Sequence, residues 1–253
     1  MTVASLASGY HDQAMGIRAA AIKDFAGLWS LLDVKDLDGS FTSYATAIQY
    51  LIESHSRRVA QSANQFYQEV RSLEGVSESW TPAFFEQTVA NAMLESLYFT
   101  GPVQVKKALK AGLSLERALA NAFVASAGSI SRQILNGGRN QIINNVTNDK
   151  QAVGWYRIAH GNSCAFCLML ASRGAVYKTE WSADFQAHDH CACDAAPVFS
   201  YKEPDHHIGA KARELWKNKT YDGERKTTSK NDISNRELNA FRRALYAYNN
   251  ESR

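Results

Sequence analysis

The sequence lacks several features that would assign a function class directly. It has no apolar run long enough to span a bilayer, and Met1–Ser5 does not begin a basic stretch followed by an apolar one. These absences argue against a membrane span and a secretory signal. Phosphate-binding loops, Gly-x-Ser-x-Gly elbows and His-Glu-x-x-His segments are also missing. The net charge of +3 is too small to indicate a nucleic-acid-binding protein, and the 45% apolar and 21% charged residues are typical of a globular protein.

Cysteine is scarce and confined to one segment. The four cysteines occur as Cys164-x-x-Cys167 and Cys191-x-Cys193. Thiols crowded together in a chain without a secretory signal favour a metal over disulfides, the alternatives being two short-range disulfides or inert thiols. Cys164 and Cys167 form a knuckle at the start of a predicted helix, where free N–H groups stabilise thiolate charge. Cys191 and Cys193 lie two apart in an extended segment, so their side chains share a face and can reach the same ion.

Two histidines beside the second cysteine pair are further candidate ligands. His188, three residues before Cys191, can take a place if Cys191 or Cys193 is turned away. His190 adjoins Cys191 and would face the opposite side of a strand, so it ranks last. A shell made only of protein ligands leaves no position for water. We therefore predict a structural zinc ion (Zn²⁺) that stabilises a small unit.

An enzyme is the alternative interpretation of this segment. A catalytic group with Cys191 as the nucleophile can be composed from Asp184, His188 and Asp189. Nearness in sequence says little about geometry, so the structural interpretation is preferred.

Helical periodicity dominates the first part of the chain. Apolar residues recur at steps of three and four in two long segments that end at Leu32 and Leu73. His55 lies on the apolar face of the second segment and is interpreted as a core or interface histidine. Asp36–Ser40 separates the two segments, and Glu74–Gly75 ends the second.

Glycine and proline mark the other expected helix boundaries. Thr81 and Pro82 are expected to open a helix as its cap and first residue, and Gly101–Pro102 to stop it. Ser114 caps a longer helix, which Gly137–Gly138 is expected to interrupt.

The pattern changes to strand-like at Val153. Val153–Ile158 is β-branched and aromatic, and Ala175–Tyr177 is a second strand candidate. Cys191–Phe199 is extended and is expected to be stopped by Pro197. We therefore predict a mainly α fold with a small α+β zinc-stapled module and an amphipathic C-terminal helix. The predicted regions are a helical region at 1–150, a small α+β metal-binding module at 151–202 and a basic C-terminal helical tail at 203–253.

The tail carries most of the excess positive charge. Asp205–Arg253 has 11 Lys/Arg and 7 Asp/Glu, which is +4, so the remainder is −1. A basic tail can touch DNA phosphates, and a solvated charged face is the alternative. The final helix is predicted from the capping box Ser234-x-x-Glu237 and from an apolar stripe that includes Phe241.

Several stretches of the sequence match a known family pattern. They are Leu135–Arg139, Gly154–Arg157, Cys164–Gly174 with Val176–Tyr177, His188–Cys193 and Phe241–Leu245. Through them the chain resembles the phage minor head (head morphogenesis) proteins similar to the F protein of phage Mu (MuF-like), especially the version in phages of actinobacteria. The familiar His-Pro-x-Cys-Arg-Cys form appears here as His-Asp-His-Cys-Ala-Cys, without its proline and arginine.

The resemblance implies a place in a phage particle. It implies a low-copy minor capsid protein that associates with the portal and enters the procapsid. Such a protein is assembled in the host cytoplasm, resides in the interior of the virion head and is linked to DNA packaging or delivery. Residues 1–150 would dock on portal, capsid or scaffold proteins, and the basic tail would meet packaged DNA or a neighbouring subunit, with no membrane partner. Relatives in actinobacterial phages are often labelled capsid maturation protease, and that activity or a DNA-binding head protein is the alternative.

Overall fold

Helices make up most of the protein, and two short strands form its one described sheet. The structure is a computed structural model that describes residues 1–84, 91–160, 163–174, 187–200, 207–218 and 236–251. Its helices are α1 (Val3–Leu28), α2 (Phe41–Leu73), α3 (Asn91–Tyr98), α4 (Gln104–Lys110), α5 (Leu115–Asn148), α6 (Ala165–Ala171), α7 (His207–Lys217) and α8 (Arg236–Glu251). The strands are β1 (Gly154–Ile158) and β2 (Asp194–Val198). The predicted mainly α fold with a small α+β part is confirmed.

The main core lies between α1, α2 and α5. These three helices pack on one another, and α2 buries one continuous apolar face that includes Tyr44, Ile48 and Phe66. Removing such a face from water is the main favourable contribution to packing. His55 lies on this face, is 7% exposed and has its Nδ1 3.0 Å from the carbonyl oxygen of Leu51. The prediction of a core histidine is therefore confirmed.

The local signals at three helix ends were sufficient to place them. Helix α2 begins directly after Asp36–Ser40 and ends at Leu73 with Glu74 as its C-cap, followed by Gly75 with a φ of +76°. A left-handed residue of this kind commonly closes a helix, and glycine adopts it without strain. Helix α5 begins after Ser114, whose Oγ accepts a hydrogen bond from the Arg117 N–H.

Two expected boundaries in the middle of the chain are wrong. Residues 81–84 are not helical, and the described part of the next helix begins at Asn91. Gly101 and Pro102 do not end the helical path, because they are the buried residues of a π-helical turn (Phe99–Val103) that leads from α3 into α4. The π turn changes the hydrogen-bond pattern locally, so a proline without an N–H is accommodated there.

The expected break at Gly137–Gly138 is also wrong, since α5 runs through both glycines. The reason is close packing between helices. A Cβ added at Gly137 would lie 2.5 Å from the carbonyl oxygen of Ser56 in α2, and one at Gly138 would collide with Tyr10 of α1. The two glycines therefore let α5 approach both neighbouring helices.

We expect Gly137→Ala to lower the free energy of unfolding by about 1–3 kcal/mol, because the added methyl group pushes α2 away from α5. Gly27→Ala on α1 is the matched control, since a Cβ there has no neighbouring atom within 4 Å. The control should be neutral or raise the free energy of unfolding by roughly 0.5–1 kcal/mol. Urea denaturation of both variants measures the difference, and equal stabilisation by both would contradict the close approach.

The sheet is a single antiparallel pair that packs on α5. Its register runs from Gly154 opposite Val198 to Ile158 opposite Asp194, and every residue of both strands is buried. Pro197 lies inside β2 opposite Trp155, so the expectation that it ends the strand is wrong. Each strand of a two-stranded sheet has one unpaired edge, and such an edge tolerates proline. The strand candidate Ala175–Tyr177 lies outside the described residues.

The last two helices among the described residues, α7 and α8, pack against α6. Their contact buries a second, smaller core of Met169, Ala212 and Phe241. Phe241 belongs to the predicted apolar stripe of the final helix, while Ser234 of the predicted capping box lies outside the described residues. Within the ranges that the structure describes, no helix combines the length and the apolar character needed to cross a membrane.

Candidate metal centre

The pairing of the two strands brings both cysteine pairs to one place. Because Ile158 pairs with Asp194, the chain leaving β1 meets the chain entering β2. Cys164 is the N-cap of α6 and Cys167 lies in its first turn, as the sequence predicts. Cys191 and Cys193 occupy the segment just before β2. The two pairs therefore face each other across the end of the sheet.

The five predicted ligands, four cysteines and His188, form one group with Cys167 at its centre, here called the thiol cluster. Cys164 Sγ lies 2.9 Å from His188 Nε2, and Cys167 Sγ lies 3.3 Å from Cys191 Sγ. Two groups of ligand atoms each lie within 4.8 Å of one another, namely Cys164, Cys167 and His188, and Cys167, Cys191 and Cys193. All five predicted ligands thus meet around one shared thiol. That they bind a metal stays a prediction.

All four cysteines are free thiols. The 3.3 Å between the sulfurs of Cys167 and Cys191 is far longer than a disulfide bond of about 2.05 Å. Cys167, Cys191 and Cys193 are buried, and Cys164 is half-buried beside the exposed His188. The structure therefore favours free thiols over the disulfide alternative.

The thiols differ in how readily they lose a proton. Cys191 has a pKa well below its ordinary value, because Cys167 and Cys193 donate hydrogen bonds to its thiolate. The same hydrogen bond to Cys191, together with burial, raises the pKa of Cys167. A hydrogen bond from Cys167 lowers the pKa of Cys193. The contact of Cys193 with Cys191 and its burial outweigh that effect and raise the pKa of Cys193 to about 12. The low pKa of Cys191 favours its thiolate, which is the form that binds a metal.

Cys164 and His188 form a second polarised pair. Burial raises the pKa of Cys164, but the backbone N–H of Cys167 and the ring of His188 outweigh it, so the pKa lies below its ordinary value. Burial lowers the pKa of His188, and the hydrogen bond to Cys164 outweighs it, so the pKa is raised. Each group thus stabilises the charged form of the other.

A buried arginine from α5 holds the backbone of the second cysteine pair. The Nε of Arg139 donates to the carbonyl oxygen of Cys193 at 2.9 Å, and its Nη2 donates to that of Cys191 at 2.8 Å. Arg139 has no exposed surface, and its positive charge helps to lower the pKa of Cys191. The sequence contained Arg139 in a stretch that resembles the phage family, but no local signal indicated these two carbonyl groups as its partners.

The other candidates near the second pair are placed elsewhere. His190 has a φ of +63°, and its exposed ring packs against Gly128 of α5, in neither group of clustered ligands. The Oδ1 of Asp189 lies 2.7 Å from the Nε of Arg132. His188 contacts Cys164 instead of Cys191. His188 and Asp189 therefore do not form a nucleophile set with Cys191. Asp184, the other residue of that set, lies outside the described residues.

The donor set fits zinc. Zinc is borderline-soft and binds thiolate sulfur and imidazole nitrogen, which are the donors present here. Cys167 with three of the other four candidates can complete a tetrahedral shell without water. Such an ion would supply a cross-link between α6 and the start of β2, and no reaction chemistry.

A third group of potential ligands was missed by sequence reasoning. His11 Nδ1 and His160 Nε2 lie 2.7 Å and 2.8 Å from the same carboxylate oxygen of Asp194. Burial raises the pKa of Asp194, and the hydrogen bonds from the two histidines outweigh it and lower the pKa. The three residues are far apart in the chain, so no spacing pattern could have predicted their contact.

Comparison with known proteins adds a family and one relative. The sequence model of one protein family, described as VG15 protein, matches residues 1–219. The chain is also similar to the Gene 15 protein of Mycobacterium phage D29, with 27% identity over 252 residues that cover 82% of this chain and 87% of that protein. No solved structure matches the chain.

Proposed function

Because the chain belongs to the VG15 protein family, a phage protein family, we propose that it is a MuF-like minor capsid (head morphogenesis) protein. In this proposal it is a low-copy component of the head interior that associates with the portal and assists head assembly and DNA packaging or delivery. A structural zinc ion holds its small module together.

One observation carries the proposal more than any other. The stretches through which the sequence resembles the minor head proteins, Cys164–Gly174 and His188–Cys193, supply all five residues of the thiol cluster. These stretches lie within residues 1–219, the part that the family model matches. The residues that carry the resemblance thus converge on one potential metal centre, which supports a module shared with the minor head proteins.

The proposal divides the work among three regions of the chain. Residues 1–150 dock on portal, capsid or scaffold proteins, residues 151–202 form the metal-binding module, and residues 203–253 contact packaged DNA or a neighbouring subunit. Tyr50 and Val124 on the helical region are 69% and 57% exposed and are accessible to a protein partner. Arg242 and Arg243 are exposed on α8 and add positive charge to its surface, which favours contact with phosphate groups.

Virions of the phage that encodes this protein provide the test. We expect a specific antibody to detect the protein in purified DNA-filled heads, in far fewer copies than the major capsid protein. It should also co-purify with the portal protein from procapsids disrupted with mild denaturant. Major capsid protein from the same gradient is the reference for copy number. Protein that is abundant in infected cells but absent from procapsids and virions would contradict the proposal.

A capsid maturation protease is the second candidate, and one contact favours it. Cys164 Sγ lies 2.9 Å from His188 Nε2, and the pKa of Cys164 is lowered while that of His188 is raised. An activated cysteine nucleophile has the same arrangement. Cys164→Ser separates the two functions. A structural role predicts weaker metal binding and lower stability. Catalysis predicts a folded protein and heads in which scaffold or major capsid protein is left uncleaved.

A further inference from the structure

A buried carboxylate at the start of β2 contacts two histidines, and none of the three belongs to the thiol cluster. His11 comes from α1, His160 follows β1, and Asp194 is the first residue of β2. Both imidazoles reach the same Oδ2 atom, at 2.7 Å and 2.8 Å. The proposed head function does not use this group, so the inference drawn from it is independent.

The donor atoms of the group are those of a metal site. Two imidazole nitrogens and a carboxylate oxygen, all within 4.8 Å of one another, make an N₂O set of the kind that zinc and other divalent transition metals bind. Metal–ligand bonds of about 2.0–2.2 Å place such donors roughly 3.3 Å apart. The histidines therefore need to withdraw from Asp194 by about half an ångström to admit an ion. Their side chains are 16% and 21% exposed, which allows the movement and gives the ion an entry path.

The electrostatics of the group also favour a cation. Asp194 is 2% exposed, and a buried carboxylate is costly without a compensating charge. The rings of His11 and His160 stack with their centroids 3.5 Å apart. A divalent ion shared by the three donors would compensate the buried carboxylate.

The group is separate from the thiol cluster although the two are neighbours in sequence. Cys193 and Asp194 are consecutive at the start of an extended segment, so their side chains point to opposite sides. His160 also lines a cavity of about 430 Å³ between α6, α7 and α8, together with Lys211 and Arg242. Three protein donors leave a coordination position free, unlike the closed thiol shell.

We propose that His11, His160 and Asp194 form a second metal site, which binds a divalent transition-metal ion and leaves one position for an exogenous ligand on the side of the cavity. The site joins α1 to the small sheet, so the bound ion links the first helix of the protein to the module that carries the cysteines.

Metal content and cobalt spectroscopy of the full chain test this proposal. Purified protein is stripped, reloaded with Co²⁺ and desalted. We expect a second metal equivalent beyond the thiolate-bound one, and no thiolate-to-cobalt charge-transfer band from it. His11→Gln and His160→Gln should each lose that equivalent and keep the charge-transfer band. His55→Gln is the matched control, because His55 also contacts a carboxylate, that of Asp24 at 3.3 Å, but has no third donor among the described groups.

Two results would overturn the proposal. One is a wild-type protein that takes up only thiolate-bound cobalt. The other is an unchanged metal content in both glutamine variants. In either case His11 and His160 act only as hydrogen-bond donors to Asp194. The wild-type stoichiometry needs no variant, so the test holds even if one substitution prevents folding.

Discussion

Cys167→Ser should release the metal from the thiol cluster and unfold the segment between the two strands. Cys167 belongs to both groups of clustered ligands, so its loss leaves neither group with three donors. Structural zinc supplies about 10–16 kcal/mol of apparent binding energy in zinc-finger peptides. The strands here also pack on α5, so we expect the free energy of unfolding to fall by about 5 kcal/mol or more. Metal analysis and thermal denaturation of the purified variant measure both effects.

Ser163→Ala is the matched control for this variant. Its Oγ lies 3.4 Å from Cys193 Sγ, so the substitution alters the edge of the cluster without removing a thiol. The control should keep its metal, and a chelator should lower the melting temperature of wild type and control by more than that of Cys167→Ser. A Cys167→Ser protein with wild-type metal content and melting temperature would rule out the structural zinc ion.

Arg139→Met should have the next largest effect. The substitution keeps the side-chain volume but leaves the buried carbonyl groups of Cys191 and Cys193 without their donor. Each such group costs about 1–3 kcal/mol, so the free energy of unfolding should fall by about 2–6 kcal/mol. The segment that presents two thiols also loses its anchor on α5. Metal affinity should therefore fall by about 10- to 100-fold, as for other residues that orient ligands.

Arg132→Met is the matched control on the same helix. The pair between Arg132 and Asp189 is 2.7 Å long but 25% and 40% exposed, and ion pairs of that kind contribute less than about 1 kcal/mol. Urea denaturation and competition with a zinc chelator compare the two variants. Equal losses in both would show that the carbonyl contacts of Arg139 have no special part in holding the cluster.

The success of the sequence predictions depended on how local their causes are. Ser114 and Glu74–Gly75 mark helix ends because capping and left-handed backbone geometry involve only neighbouring residues. The predicted strand end at Pro197 and the predicted helix break at Gly137 were wrong for the opposite reason. Proline is tolerated in β2 because only one strand pairs with it, and glycine occurs in α5 because α2 is close. Those causes lie in distant parts of the chain.

The thiol cluster was partly predictable because some of its contacts are local. Cys164 and Cys167 lie in one helical turn, so their closeness follows from spacing alone. The order of the other ligands around Cys167, and the contact of His188 with Cys164 instead of Cys191, required the pairing of β1 with β2.

By itself the sequence determined the helical character of the protein, the capped helix ends and a short segment rich in potential zinc ligands. These depend on periodicity and spacing, which act within a few residues. Only the tertiary structure decided that Arg139 supports the cysteine backbone and that His11 meets His160 and Asp194. Such contacts join residues far apart in the chain, and their partners are selected by the packing of whole helices and strands.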